Sequence, residues 1–454
     1  MTGPDAIRAA HARLTAAFSL DMVPPVPQRI ARLKDLGAAI GAARDDLIAA
    51  VSQDFGPRAE VETLTAELAF VRDGLRHTIR HLSGWAAPRR RRVLRPVPGR
   101  TDLRFEPKGV AGILSPWNYP VQLALMPLIA AIAAGNRVIL KPSERSPATS
   151  DALVRLIGRV FPPDEAVCIT GGPDTAAQLC ALPLGHLFFT GSTATGRKVA
   201  QAAADTLTPV TLELGGRSPA IALPGADPAR HAPMIAWGKW LSAGQTCVAP
   251  NHLWVPRGRR QDWADALLDR AAGFVPRDYT AMIDGRAETR MRDMLAEAEA
   301  GGATVRQVPS DIGIPPTIVL DAPPGCALMT EEIFGPVLPI LPYDDIEDVV
   351  AAEAGASPLA AYVFDTDAGR AQALLLRLRA GGGAVNATIL HLALHDLPFG
   401  GIGESGMGAY HGVRGFREFS HERATFVAAR GPWLRLLSPP YLKIARRLFG
   451  RIGR

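Results

Sequence analysis

Lysine is scarce in this chain: six lysines stand against 44 arginines in 454 residues. Each lysine is therefore a departure from the default cation, and it offers a compact, rotatable ammonium where arginine offers a planar fork. Cysteine is scarce as well. Four cysteines at this length exclude a disulfide-framed scaffold. Long apolar runs are missing. The longest, Leu123 to Ala134, is twelve residues and contains Pro127, well short of the roughly 20 needed to span a bilayer. The first residues carry Asp5, Arg8 and Arg13 and no apolar signal core, which predicts a cytoplasmic protein.

What is present reads as globular. Hydrophobic residues make up 47% and charged residues 21%, so disorder is excluded as the main state. The net charge of +6 is local: Arg430 to Arg454 holds seven basic residues and no acidic one, leaving the remainder at −1. The basic balance describes a tail and not a nucleic-acid-binding surface. After Pro439-Pro440, residues Tyr441, Leu442, Ala445, Leu448, Phe449 and Ile452 share one helical face, with Lys443, Arg446, Arg447, Arg451 and Arg454 largely off it. Such a helix either lies on an anionic membrane or packs its apolar stripe on the protein.

The first eighty residues read as helices: Ile30, Leu33, Leu36, Ile40, then Leu47, Ile48, Val51, Phe55 recur at three- and four-residue spacing. A further helical stretch covers about 60–79. Six arginines within Pro88–Arg100, around Pro98-Gly99, predict an extended hairpin. From Gly109 to about Gly216, short buried strands alternate with crossovers, which predicts a doubly wound parallel sheet. A second α/β region follows to about Asn386.

Four motifs carry chemistry. Leu187 to Gly196 runs an apolar strand through a glycine turn into a helix, an arrangement that offers backbone N–H groups to a phosphate. It lacks the usual G-x-G-x-x-G, and an ordinary strand-to-helix turn reads the same way. Val138-Ile139-Leu140-Lys141 ends a strand on a lysine, with Glu144 three residues on. That pair either binds ribose hydroxyls at a strand's carboxyl end or is a surface ion pair. Cys247 follows the polar turn Gly244-Gln245-Thr246, where a thiol can project into a cleft. Cys168, Cys180 and Cys326 have blander contexts. Glu213 sits in the apolar run before Gly215-Gly216. Burial there would raise its pKa toward that of a general base; otherwise it faces an edge.

Together and in this order, the four motifs resemble the NAD(P)-dependent aldehyde dehydrogenase superfamily. The resemblance extends over Pro116-Trp117-Asn118-Tyr119-Pro120, Glu331-Glu332-Ile333-Phe334-Gly335-Pro336, Val385-Asn386 and Pro398 to Gly408. Gly-Gln-Thr-Cys-Val-Ala-Pro and Met407-Gly408-Ala409-Tyr410-His411-Gly412 are most similar to class 3 enzymes, and among them to bacterial coniferyl aldehyde dehydrogenases.

The resemblance implies Cys247 as nucleophile, the Asn118 amide and Cys247 N–H as oxyanion donors, and Glu213 as activator of the hydrolytic water. It implies NAD as cofactor, with NADP also accepted. Lys141 and Glu144 would hold the adenosine ribose, Gly191, Ser192 and Gly196 the pyrophosphate turn, Trp117 and Phe334 the nicotinamide region, and Glu332 its ribose. Tyr119, Thr388, Ile389, His391 and Tyr410 are expected near the aldehyde. No metal is expected. Three parts are implied: a nucleotide-binding domain (1–82 and 107–212), a catalytic domain (213–388), and a small β bridging or oligomerisation segment (83–106 and 389–454) consistent with a homodimer. The expected reaction is oxidation of an aromatic or α,β-unsaturated aldehyde to its acid. The alternatives are medium- or long-chain aliphatic aldehydes, or acyl transfer to coenzyme A. Two departures stand out: Arg217 where many relatives carry lysine, and Asn251 where class 3 relatives often carry aspartate.

Overall fold

The computed structural model describes residues 4–94, 97–275, 278–431 and 437–449. Three sheets organise it. The smallest starts as the expected hairpin, β1 (Arg89–Val93) antiparallel to β2 (Gly99–Pro107). The arginines of β1 are all exposed.

The second sheet is the doubly wound one. Strands β3 (Val110–Leu114), β4 (Arg137–Lys141), β5 (Ala166–Cys168), β6 (His186–Thr190) and β7 (Val210–Glu213) are parallel, in the order β7-β6-β3-β4-β5. Every residue of β3, β4 and β6 is buried, as expected of strands covered on both faces by crossover helices. The helix Gln122–Ala134 lies between layers and is buried almost all round, which is why its sequence is apolar without being amphipathic. Gly135, at φ 96°, ends it in the left-handed region.

The third sheet holds β8 (Pro219–Ala222), β9 (His252–Pro256), β10 (Thr304–Gln307), β11 (Thr317–Leu320), β12 (Val337–Tyr343), β13 (Ala360–Phe364) and β14 (Gly382–Val385). Their order is β10-β11-β12-β9-β8-β13-β14, parallel apart from β10.

The closing segment divides, where the resemblance groups 389–454 with the hairpin. Strand β15 (Gly406–Met407) instead adds antiparallel to β7, and the helix Gly412–Glu418 packs on Gln122–Ala134. Glycine makes this possible, because a side chain at Gly406 would collide with the Leu212 carbonyl. Only β16 (Ser420–Ala428) joins the hairpin, beside β2.

In the tail, Lys443–Phe449 is helical. Ala445 is buried while Tyr441, Leu442 and Ile444 are exposed, so the stripe is split between two environments. The side chains of Leu448 and Phe449, and all of 450–454 including Ile452, lie outside the described residues. No helix among the described residues is long and apolar enough to cross a membrane.

Candidate active site

The motif residues converge from strand ends of one large sheet and segments leading into strands of the other. Glu213 and Lys141 end β7 and β4, and Asn118 follows β3 by four residues, so all three occupy the carboxyl edge of one parallel sheet. From the other sheet come segments preceding its strands: Cys247 before β9, Glu332 before β12, and Gly215-Gly216 before β8.

Cys247 is presented by an unusual turn. Ser242, Ala243 and Gly244 all have positive φ (51°, 52° and 73°), a run that costs free energy for the two non-glycine residues. Surrounding bonds hold it. Ser242 N–H donates to Glu62 (3.1 Å). The Gln245 amide donates to the Ser242 and Ala281 carbonyls (3.0 Å each) and accepts from Ile283 N–H (2.9 Å). Asn118 Nδ2 donates to the Gln245 carbonyl (3.0 Å). One of its two N–H donors is thereby fixed, which aims the other. Tyr119 Oη lies 2.6 Å from Thr246 Oγ1.

Burial dominates the electrostatics of the site. Burial, then Glu332 and Glu213, push the Cys247 thiol up to about 12. Glu213 is fully buried with neither carboxyl oxygen bonded to protein. Burial and then Glu418 hold it well above the usual carboxylate range. Glu332, pressed against Gly215 where any side chain would collide with its carboxylate, is raised by burial to about 7. Facing it, Lys239 is lowered by burial to about 7. Lys239 escaped the motif reading, although it is one of only six lysines. Asn251 acquires a role here: its Oδ1 accepts from Ile333 N–H (2.9 Å), tying the Glu332 loop to the Cys247 segment.

The residues expected to hold the cofactor stand at the carboxyl ends of β4 and β6. Lys141 Nζ and Glu144 Oε2 are 2.8 Å apart. Burial pushes Glu144 up, but the Lys141 ammonium wins and leaves it below its ordinary value. Ser192 caps the helix Thr193–Ala204, whose first-turn N–H groups have no intrahelical acceptor and suit a phosphate. A side chain at Gly191 would meet the Phe189 ring, and one at Gly196 would meet Leu214, so both glycines allow close approach. Trp117 meets Phe334 edge-on at 5.5 Å, with the Arg145 guanidinium 4.5 Å from the Trp117 ring.

Beside Cys247 opens a cavity of about 220 Å³. Tyr119, Ile389 and Tyr410 line it, with Phe70, Trp237 and Phe399 supplying further aromatic wall and Gln122 and His411 polar groups. Thr388 and His391 do not line it. Ile389 has φ 60°, and this turn sends Ile389 to the cavity while the Thr388 hydroxyl donates to the Met234 carbonyl (3.0 Å). His391 packs back toward Gly382 and Tyr362. A larger open groove, about 750 Å³ along the helix Gly285–Ala300, contains none of the motif residues except Glu331 at its edge. Sequence reasoning missed Phe70 and Trp237 because a lone aromatic carries no spacing signal, and took Phe399 as part of a motif without placing it at the aldehyde.

Comparison with known proteins agrees with this geometry. The profile of the aldehyde dehydrogenase family matches residues 3–425. A protein of Pseudomonas aeruginosa named probable coniferyl aldehyde dehydrogenase is 40% identical, covering 97% of this chain and 95% of that protein. A rat protein named aldehyde dehydrogenase, dimeric NADP-preferring, is 36% identical over 91% of this chain and 93% of its own. Among solved structures, a Mycobacterium tuberculosis aldehyde dehydrogenase complexed with NAD+ superposes with TM-score 0.87 at 28% identity, covering 94% of this chain and 91% of that one. The chain belongs to the aldehyde dehydrogenase family, and is an oxidoreductase acting on aldehydes.

Proposed function

We propose that the protein oxidises an aromatic or α,β-unsaturated aldehyde of the coniferyl type to its carboxylic acid, with NAD as the preferred acceptor. The observation that carries this is Cys247 on the cavity wall just after a strained turn, with the half-committed Asn118 amide bonded to Gln245 of the same segment and the unpaired buried Glu213 near enough to raise the thiol. The aromatic wall and the modest cavity volume favour a compact ring over a long aliphatic chain.

Cys247 gives its thiol proton to solvent, its sulfur attacks the aldehyde carbon, and the C=O electron pair displaced onto oxygen is stabilised by Asn118 Nδ2 and the Cys247 N–H. NAD, when bound, supplies the acceptor for the hydride that the substrate loses. That two-electron loss leaves a thioester on Cys247. Glu213 takes a proton from water, the water oxygen attacks the acyl carbon, and the C–S bond breaks with its electron pair returning to sulfur. The unpaired Glu213 supports hydrolysis over transfer to coenzyme A. Glu144 favours NAD because a carboxylate beside the ribose repels a 2′-phosphate.

The two large sheets support a cofactor-holding part (1–82 and 107–212) and a nucleophile-bearing part (213–388), bridged by the hairpin and β16. Strand β16 is an edge with Phe426 and Val427 exposed. Such an edge suits pairing with a second copy, and we take the protein to be a cytoplasmic homodimer. The basic tail would rest on anionic membrane.

Two substitutions separate the steps. Cys247→Ser should abolish turnover, whereas Glu213→Gln should give one burst of reduced cofactor near one per site, faster with NAD than with NADP, and then stall. Intact mass should then show the acyl group on Cys247. Absence of both burst and adduct in Glu213→Gln would overturn the assignment of Glu213 as hydrolytic base.

A further inference from the structure

One ion pair joins elements of the two large sheets beside the cofactor residues and serves no step of the proposed chemistry. Arg145 follows Glu144 in the turn after β4 of the doubly wound sheet. Asp284 caps the helix Gly285–Ala300, which lies between β9 and β10 of the other sheet. The Arg145 guanidinium donates to Asp284 Oδ2 through Nε (3.0 Å) and Nη2 (2.6 Å).

Three observations set this pair apart from an ordinary surface contact. It does not stand alone: the guanidinium lies 4.5 Å from the Trp117 ring centroid, and Trp117 meets Phe334 edge-on at 5.5 Å. Trp117 follows β3 of the first sheet and Phe334 precedes β12 of the second. Asp284, Arg145, Trp117 and Phe334 therefore make one continuous crossing. A cavity of about 300 Å³ lies against it, lined by Trp117, Arg145, Met282, Arg286, Arg290 and Phe334, so the crossing bounds open space. Finally, the anchors are fixed at both ends. Asp284 Oδ1 accepts from Ala287 N–H (2.9 Å), leaving Oδ2 for the guanidinium, and Arg145 N–H donates to Ser143 Oγ (3.2 Å).

The neighbours of the pair place it along the cofactor. Glu144, one residue before Arg145, is assigned to the adenosine ribose, and Trp117 and Phe334 to the nicotinamide region. The pair thus stands between the residues for the two ends of a dinucleotide. Both side chains are partly exposed, and such a pair adds little to stability. It can break and re-form as a cofactor enters and leaves.

We propose that Arg145 and Asp284 are positioning residues that strap the cofactor site, slowing release of the bound dinucleotide. This rests on the assignment of Glu144 and Phe334 to the two ends of the cofactor. The test reads binding and not turnover. The full chain is loaded with NADH, and the fluorescent cofactor is displaced by excess NAD in stopped flow. Asp284→Asn keeps a capping oxygen on the helix and removes the charge. Arg145→Met keeps an unbranched side chain over Trp117 and removes the cation. Each should speed NADH release about two- to fivefold, the span expected of a part-exposed pair. The double variant should release NADH no faster than either single one.

Two further readouts separate a strap from a merely structural contact. Added salt should speed release from the wild type more than from Asp284→Asn, because only the wild type has the pair to screen. Adenosine monophosphate ends at the ribose residues, so its affinity should be the same in all four proteins. Unchanged NADH release in Asp284→Asn, additive effects in the double variant, or an equal weakening of adenosine monophosphate would overturn the proposal. Failure of the wild type to bind NADH would instead overturn the assignment of the cofactor residues.

Discussion

At the scale of single residues, the site depends on keeping charges out until chemistry needs them. Glu213 is the clearest case. Behind it, Glu418 Oε1 accepts from Thr211 Oγ1 (2.9 Å), and His186 Nε2 lies 2.8 Å from the same hydroxyl. Arg414 approaches the other Glu418 oxygen at 3.5 Å, and Lys108 Nζ lies 3.1 Å from His186 Nδ1. After burial, the Glu418 charge is what holds Glu213 high. A base held high is protonated at the low end of the working range, so hydrolysis should rise with pH through that raised value. Glu418→Gln removes one negative neighbour, makes ionised Glu213 easier to form, and should move the acid limb of the kcat profile to lower pH. A steady-state pH profile checks this. A limb that stays put, or moves upward, means that another group carries it.

Elements explain why the turn at Cys247 stays strained. The helical stretch starting at Glu60 continues to Trp85 and includes a π-helical segment, Thr63–Ala69. Wider turns of this kind recur at functional sites, and here the segment puts Thr65 and Ala66 on the cavity and Glu67 inside. Glu67 accepts from Val121 N–H (2.7 Å) and Gln122 N–H (3.2 Å), and its other oxygen meets Arg58 Nη2 at 3.3 Å. Arg58 in turn donates to the Asn118 carbonyl (3.3 Å) and lies 4.5 Å from the Phe55 ring centroid. Both ionic side chains are fully buried. Removing one leaves an uncompensated charge, so Arg58→Leu should cost about 3–5 kcal/mol, while Arg58→Leu with Glu67→Leu should cost less than the single change. Urea unfolding of both variants decides this; a double variant less stable than the single one would mean the pair is not the unit. None of this was legible in the sequence. Glu67 looks like a solvent-facing residue of an amphipathic helix, because a 3.6-residue period cannot reveal one wide turn. The strands were legible, since β3, β4 and β6 are continuous apolar runs. Glu213 was legible because it breaks an apolar run ahead of paired glycines, and Cys247 because it follows a polar glycine turn.

At the scale of the whole molecule, the pattern of alternation was enough to separate two α/β sheets, but not to foresee that β15 would cross back onto β7. A two-residue strand of Gly406 and Met407 carries no periodicity, and only the collision awaiting a side chain at Gly406 betrays the contact. The tail poses the reverse problem, a strong pattern with two destinations. Its helix buries Ala445 but leaves Tyr441, Leu442 and Ile444 exposed alongside Lys443, Arg446 and Arg447. An apolar group of this size beside cations matches an interfacial segment, and each basic residue at an anionic surface contributes about 1 kcal/mol, screened by salt. The full chain should therefore co-float with phosphatidylserine-containing vesicles at low salt and be released at high salt. A chain ending at Pro439 should stay in the soluble fraction and retain its aldehyde-oxidising activity. Equal flotation of the two chains would reject membrane contact through this helix. Loss of activity on truncation would instead mean that the tail residues cover part of the enzyme.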